Sequence, residues 1–341
     1  MFTPFSLRQA REFTDTMQAF DGVTETAERR RANRGTLAFR KTNGHDYLVK
    51  WFYDAERRKA KVLGKRSPET EGIEREFSQA RKSLDARAKS LRANLEKQAR
   101  MNNAVGLSRL PLISARIIRA FERAGIGSER VKIVGTHALY AYESIAGGVF
   151  DEGFVATQDT DFLLDARAPL RFVTSEDLKD ETLLGILQSA DRSFDKTRQT
   201  FRAQNRDGFL VDIIQPERNP PWKQEAFEAG KGDLQPSPIT GLVWLENAPA
   251  ISQPVIDAKG FPVTMNVPDP RAFAIHKYWL SKQPMRGATK SRRDEAQAYA
   301  VAALVMSELK HLPFDARALR MIPREIVADA VTEFRKLPKL V

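Results

Sequence analysis

The apolar positions of this chain change period several times, and each change marks a new element. Residues 36–66 alternate apolar or aromatic residues with Lys and Arg, a two-residue period that predicts strands. Asn43-Gly44 is the strongest short hairpin signal, so residues 37–40 and 47–52 are expected to pair, with a third strand at 59–63. At Ser67-Pro68-Glu69 the pattern switches. A cap residue, a proline in the first turn and an acid near the positive end open a helix. Ile73, Phe77, Ala80, Leu84, Ala88, Leu91 and Leu95 follow at steps of four and three, predicting one long amphipathic helix to about residue 102. Its apolar stripe needs a partner helix, in the same chain or in a second copy. Residues 1–35 are polar and Arg-rich, and Arg29-Arg30-Arg31 reads as a solvated helix end or loop.

Past Gly106, Ile113, Ile117, Ile118 and Phe121 form the stripe of a helix over 112–124, with Gly125 just beyond its end. Residues 131–165 read as a strand, a Gly135-Thr136 turn, a helix, a loop and a second strand opening with Asp159 and Asp161. Ser175 is expected to cap a helix running to about 190. Strands at 197–204 and 209–215 flank the turn Asn205-Arg206-Asp207-Gly208, and 216–240 reads as a loop. Short strands are expected at 242–245, 254–257 and 261–266, the last two joined through Lys259-Gly260. Helices follow at 271–281, 291–309 and 324–335. The fold class is therefore α+β. It divides into a basic, aromatic β region (1–66), a helical arm (67–125), a core with a small mixed sheet (126–267) and a C-terminal helical domain (268–341).

Composition narrows the chemistry. The chain has no cysteine, which excludes disulfides, thiolate metal sites and a cysteine nucleophile. Its four histidines, His45, His137, His276 and His311, lack metal-ligand spacing and argue against zinc. No apolar run is long enough to span a bilayer and no secretory leader is visible, so a cytoplasmic address without membrane contact is expected. The net charge of +11 points to a polyanionic partner, nucleic acid or nucleotide phosphates. Phe39, Tyr47, Trp51 and Phe52 sit among Lys and Arg, a mixture that can stack bases and hold phosphates or simply form the core of a small sheet.

Three acids carry the chemical signal. Asp159 and Asp161, two apart on a strand, point to one face. Asp212 interrupts the apolar run Leu210, Val211, Ile213, Ile214, where a carboxylate needs a partner. Carboxylates converging from neighbouring strands can hold two Mg2+ ions, with Mn2+ as the alternative, for phosphoryl transfer. Upstream, Gly135 lets backbone approach a phosphate and Thr136 adds a hydroxyl at a helix start. The competing reading makes all three acids structural partners of Arg198 or Arg202.

The order Gly135-Thr136, then Thr157-Gln158-Asp159-Thr160-Asp161, then Asp212 resembles the nucleotidyltransferase superfamily that includes DNA polymerase beta. GTHALYAYE followed by TQDTDFLLD is similar to bacterial nucleotidyltransferase-fold proteins and to AbiE-type toxin nucleotidyltransferases. Two features depart from the pattern. Gly135-Thr136 stands where a Gly-Gly or Gly-Ser pair is common, and the spacing across 137–158 is longer, implying an insertion near 146–152, an active-site loop around Gly147-Gly148. The resemblance implies transfer of a nucleoside monophosphate from an NTP to an acceptor hydroxyl, Asp159, Asp161 and Asp212 being both catalytic and metal-binding. Asp212 would help deprotonate the acceptor. Lys277 would neutralise the triphosphate, Asp294 would position it or the acceptor, and Arg286 and Lys290 would assist. RNA or tRNA is the favoured acceptor, with protein second and a small molecule third. A toxin or phage-defence role, and a homodimer or antitoxin partner, fit the same resemblance. The opposing function is an inactive transferase scaffold that binds nucleic acid or regulates.

Overall fold

The computed structural model describes residues 2–54, 57–126, 130–165, 182–220, 232–315 and 317–337. The fold is α+β. The chain packs as two compact units: an arm of residues 11–107 with 259–262, and a larger unit of 1–10, 108–258 and 263–341.

The larger unit opens with β1 (Phe2–Pro4), and α1 (Leu7–Ala32) then carries the chain into the arm. The polar N-terminal region is thus largely helical, with Arg29, Arg30 and Arg31 in the last turn of α1, where cations suit the helix dipole. The arm's sheet is the meander β2 (Thr36–Thr42), β3 (His45–Asp54), β4 (Arg57–Lys65), turning at Asn43-Gly44. Asn43 takes φ 50° there. In α2 (Pro68–Ala104), Ser67 and Thr70 exchange the reciprocal bonds of a capping box.

The stripe of α2 finds its partner in the same chain. It meets α1 through Arg30–Asp85 (2.8 Å) at one end and the buried Thr16–Asn102 bond (3.0 Å) at the other. Leu95 and Ala99 are buried in the seam, while Ile73, beyond its Asp85 end, remains 40% exposed. Leu37 and Leu48 are buried in the sheet, Gly64 meets Thr70 of α2, and Lys50 lies 5.7 Å from the ring of Phe77.

In the larger unit, α3 (Leu112–Arg123) leads into β5 (Val131–Val134), a tight turn at Gly135–His137 and α4 (Ala138–Ala146). Then come β6 (Gly148–Phe150), α5 (Glu152–Val155) and β7 (Asp159–Leu164). The Gly147-Gly148 segment is not an active-site loop. Gly147 ends α4 in the left-handed region, and Gly148 enters β6, which pairs with β1. A Cβ on Gly148 would overlap the ring of Phe2.

The next elements are α6 (Leu183–Ala190), β8 (Asp195–Lys196), β9 (Arg202–Gln204), β10 (Leu210–Pro216) and β11 (Ser237–Ile239). The expected cap Ser175 lies outside the described residues, and Thr182 caps α6. The central sheet runs β5-β7-β10-β9-β8, with β11 added beside β10. β7 and β10 are parallel and the other pairs along that path are antiparallel. Even-numbered residues of β7 face α3: Phe162 lies 5.0 Å from Phe121 between ring centroids, and Thr160 reaches Ser114. The odd-numbered acids occupy the opposite face.

The remainder is α7 (Leu242–Asn247), β12 (Ala250–Ile256), β13 (Pro262–Pro268), α8 (Pro270–Ser281), α9 (Ala288–Ser307) and α10 (Arg324–Phe334). Residues 242–245 form a helix, not the expected strand. Leu242 and Leu245, three apart, are both buried, while Trp244 packs 4.9 Å from Trp279 of α8. That spacing suits a helix face and would split across a strand. Buried Lys132 on β5 donates to the carbonyls of Leu245 (3.0 Å), Glu246 (2.7 Å) and Ala248 (2.7 Å), closing the C-terminal end of α7. No helix among the described residues is long and apolar enough to cross a membrane.

Replacing Lys132 with Met keeps much of the side-chain volume but leaves those carbonyls unsatisfied. We expect a stability loss of about 3 kcal/mol, read as a lower urea midpoint by tryptophan fluorescence, with a red shift from Trp244 and Trp279.

Candidate active site

The register of the central sheet gathers the acids. Asp161 on β7 and Asp212 on β10 are direct cross-strand partners, and Asp159 pairs with Leu210. Parallel partners share a face about 4.8 Å apart, so Asp161 and Asp212 stand side by side with Asp159 one pleat away on the same face. Asp159 accepts from the Thr157 hydroxyl. Asp212 is 7% exposed and is forked by Arg202 from β9: Nε to Oδ1 and Nη2 to Oδ2, both 2.6 Å. Arg202 is therefore the partner that an acid in an apolar strand required.

Half-buried Asp161 is the electrostatic focus. Its carboxyl is pushed up to about 7, first by burial and then by Asp159 and Asp212, while Lys277 and Arg202 pull it back. β5 ends opposite it, with Val134 paired to Asp161. The chain then turns at Gly135 with φ 66°, and a Cβ at Gly135 would overlap the Asp161 Oδ2. The glycine thus serves both the left-handed backbone and the close approach of the carboxylate.

Thr136 is buried, and its hydroxyl oxygen accepts from Arg293 Nη2 (3.0 Å) and Gln297 Nε2 (3.1 Å), both on α9. The same donors reach the carbonyls of Ala156 (3.0 Å) and Phe154 (3.1 Å), clamping the turn and α5 to α9. Neither residue was assigned from the sequence. Gln297 lies four positions after Arg293, so the two share a helix face, but nothing in the sequence names Thr136 as their target. His137 is fully enclosed, with Nε2 2.9 Å from the Ser114 hydroxyl, and burial lowers its pKa to about 4, keeping it neutral.

The cationic side comes from α8 and α9. Lys277 is 8% exposed and donates to Asp294 Oδ1 at 2.7 Å. Arg286 meets Asp294 Oδ2 at 2.7 Å through Nε and 2.6 Å through Nη2. Asp294, 2% exposed, is thus enclosed between two cations. Lys290 is exposed in the first turn of α9 and makes no ion pair among the described residues. The structure therefore joins Lys277, Arg286 and Asp294 and leaves Lys290 outside that cluster.

No group of three or more His, Asp or Glu side chains among the described residues forms a ready metal cage. The donor chemistry nevertheless fits a hard cation such as Mg2+, which takes one or two carboxylates and completes its shell with water and phosphate oxygens. Asp159 and Asp161 could supply those carboxylates, with Asp212 beside them. The crowding that raises Asp161 is the repulsion a divalent cation would relieve.

Searches of curated proteins and of solved structures return no match. A family model described as nucleotidyltransferase matches residues 113–322. That span is more than half the chain. It contains the acid-bearing sheet, the Gly135 turn and the Lys277–Asp294–Arg286 cluster, and the chain belongs to this nucleotidyltransferase family.

Proposed function

We propose that the protein transfers a nucleoside monophosphate from an NTP to an acceptor hydroxyl, with Asp159, Asp161 and Asp212 as the reacting centre. The observation that carries this reading is the shared face of the three acids, with Gly135 shaped around Asp161 and Lys277 in electrostatic range. In the reaction the acceptor oxygen forms a bond to the α-phosphorus and the bond to the β-phosphate bridge breaks. Pyrophosphate leaves. The acceptor proton passes to Asp212, whose oxygens keep lone pairs beyond those taken by the Arg202 fork. Two Mg2+ ions, when bound, supply charge neutralisation and a polarised acceptor oxygen. The side chains that would hold them are Asp159, Asp161 and Asp212.

Lys277 and Arg286 are the protein cations offered to the triphosphate, and Asp294 fixes their direction. Gly135 and Thr136 support the approach of backbone to phosphate, with Thr136 held in place by Arg293 and Gln297. Catalysis of this kind is mainly positioning and electrostatics. RNA is the acceptor favoured by the basic balance and protein is second. A toxin role follows only from the AbiE-type resemblance.

A second reading, a scaffold that binds nucleic acid without turnover, draws on the Arg202 fork, which engages both oxygens of Asp212. NTP consumption separates the two. We expect pyrophosphate release with Mg2+ from the wild-type protein and none from Asp161→Asn. Its absence from the wild-type protein with every NTP and RNA tried would favour the scaffold.

The same variant tests the metal reading without turnover. Removing a carboxylate crowded by two others should raise the metal-free melting temperature. Added Mg2+ should raise that of the wild type by several degrees and leave the variant unmoved. A lower melting temperature in Asp161→Asn, with no response of the wild type to Mg2+, would make the acids structural.

Gly135→Ala is expected to displace the Asp161 carboxylate and lower turnover about 100-fold. Circular dichroism of the folded variant checks that the fold remains.

A further inference from the structure

The positive charge of the chain is concentrated in the arm. Residues 11–107 with 259–262 hold 23 Lys and Arg against 14 Asp and Glu, a net +9 of the chain's +11. Within the arm, the end of α1, the turn into β2 and one stretch of α2 enclose a cavity of about 360 Å3. Arg30, Arg31, Arg34 and Arg81 line it, with Asn33 and a single acid, Asp85. Arg30 is paired with Asp85 at 2.8 Å, and Arg81 donates to the Gly35 carbonyl at 3.0 Å. Arg31 and Arg34 are exposed, and their side chains have no partner among the described residues.

Four guanidinium groups facing one cavity repel one another, and one carboxylate offsets only one of them. Packing does not require that arrangement, because the helix seam is closed elsewhere by Thr16–Asn102 and Leu95. It suits an anion brought from outside. The planar guanidinium fork matches phosphate oxygens in particular.

The neighbouring sheet points to a strand of linked phosphates. Tyr47 sits in register between Arg40 on β2 and Lys65 on β4, and Trp51 lies on the same face of β3. An aromatic ring flanked by cations offers a base something to stack on and its phosphates something to pair with. The two features adjoin, because Gly35, in the cavity wall, lies directly against the Trp51 carbonyl.

We propose that the arm binds a single-stranded nucleic acid. Arg31 and Arg34 hold two successive phosphodiester groups in the cavity, and bases pass over the Tyr47 face. This names the acceptor class for the transfer proposed above and rests on that reading only for that role, since binding needs no turnover.

The test is fluorescence anisotropy on the full chain with a labelled single-stranded RNA and a DNA of the same sequence, across a salt series. Arg31→Glu with Arg34→Glu should weaken binding at least tenfold and make the salt slope shallower by about 1.4, the loss of two phosphate contacts. Lys89→Glu with Lys97→Glu, an equal charge change at exposed positions of α2, should stay within twofold of the wild type. The ratio of RNA to DNA affinity identifies which strand the site prefers.

The inference is overturned if neither oligonucleotide binds at low salt, if both double variants weaken binding equally, or if polyglutamate displaces RNA as well as unlabelled RNA does. NTP consumption without oligonucleotide binding removes this site and keeps the transfer reading. Binding without NTP consumption does the reverse.

Discussion

The carboxylate of Asp161 rests where the side chain of any residue other than glycine at position 135 would have to be. That contact ties the backbone to the chemistry. β5 runs antiparallel to β7 and ends with Val134 opposite Asp161, so the chain must leave the sheet at the point where the carboxylate stands. The parallel pairing of β7 with β10 brings Asp212 beside it. The resulting crowding is unfavourable in isolation, because like charges in a half-buried site raise each other's energy. The fold tolerates it through Lys277 and Arg202, which offset part of the repulsion.

A second charge arrangement supports the first from the helical side. Asp294 is itself buried, and between Lys277 and Arg286 it converts two flexible cations into fixed ones. An unpaired lysine in that position would be costly to bury, whereas a paired one keeps its charge and its direction. Arg293 and Gln297, on the same helix α9, hold the turn through Thr136. One helix therefore sets the position of both the cations and the turn, and a shift of α9 would disturb both together.

Much of this was legible in the chain because it depends on local period and local chemistry. The Asn43-Gly44 hairpin, the Ser67 cap and the spacing of Asp159 and Asp161 are short-range signals, and the structure contains each of them. The misreadings came from tertiary context. Residues 242–245 look like an apolar strand, yet buried Lys132 and the Trp279 ring favour a helix there. Gly147 and Gly148 look like an active-site loop until Phe2, far away in sequence, is seen packed against Gly148. Asp212 announced that it needed a partner, and Arg202 supplied it from across the hairpin. Gln297 gave no signal, because an amide on an amphipathic helix is ordinary until its acceptor is known.

The route of the chain through its two units has a practical side. The larger unit begins with β1, whose Phe2 packs edge-on to Phe150 at 5.5 Å, and only then does the chain enter the arm. The arm is therefore an interruption of the larger unit's sequence, not a preface to it. A truncation from the N-terminus, the usual way to remove a leading module, would strip β1 from β6 before it reached the first arginine of the cavity. Separating the two units genetically calls for an internal excision between residues 11 and 107 that spares the opening strand.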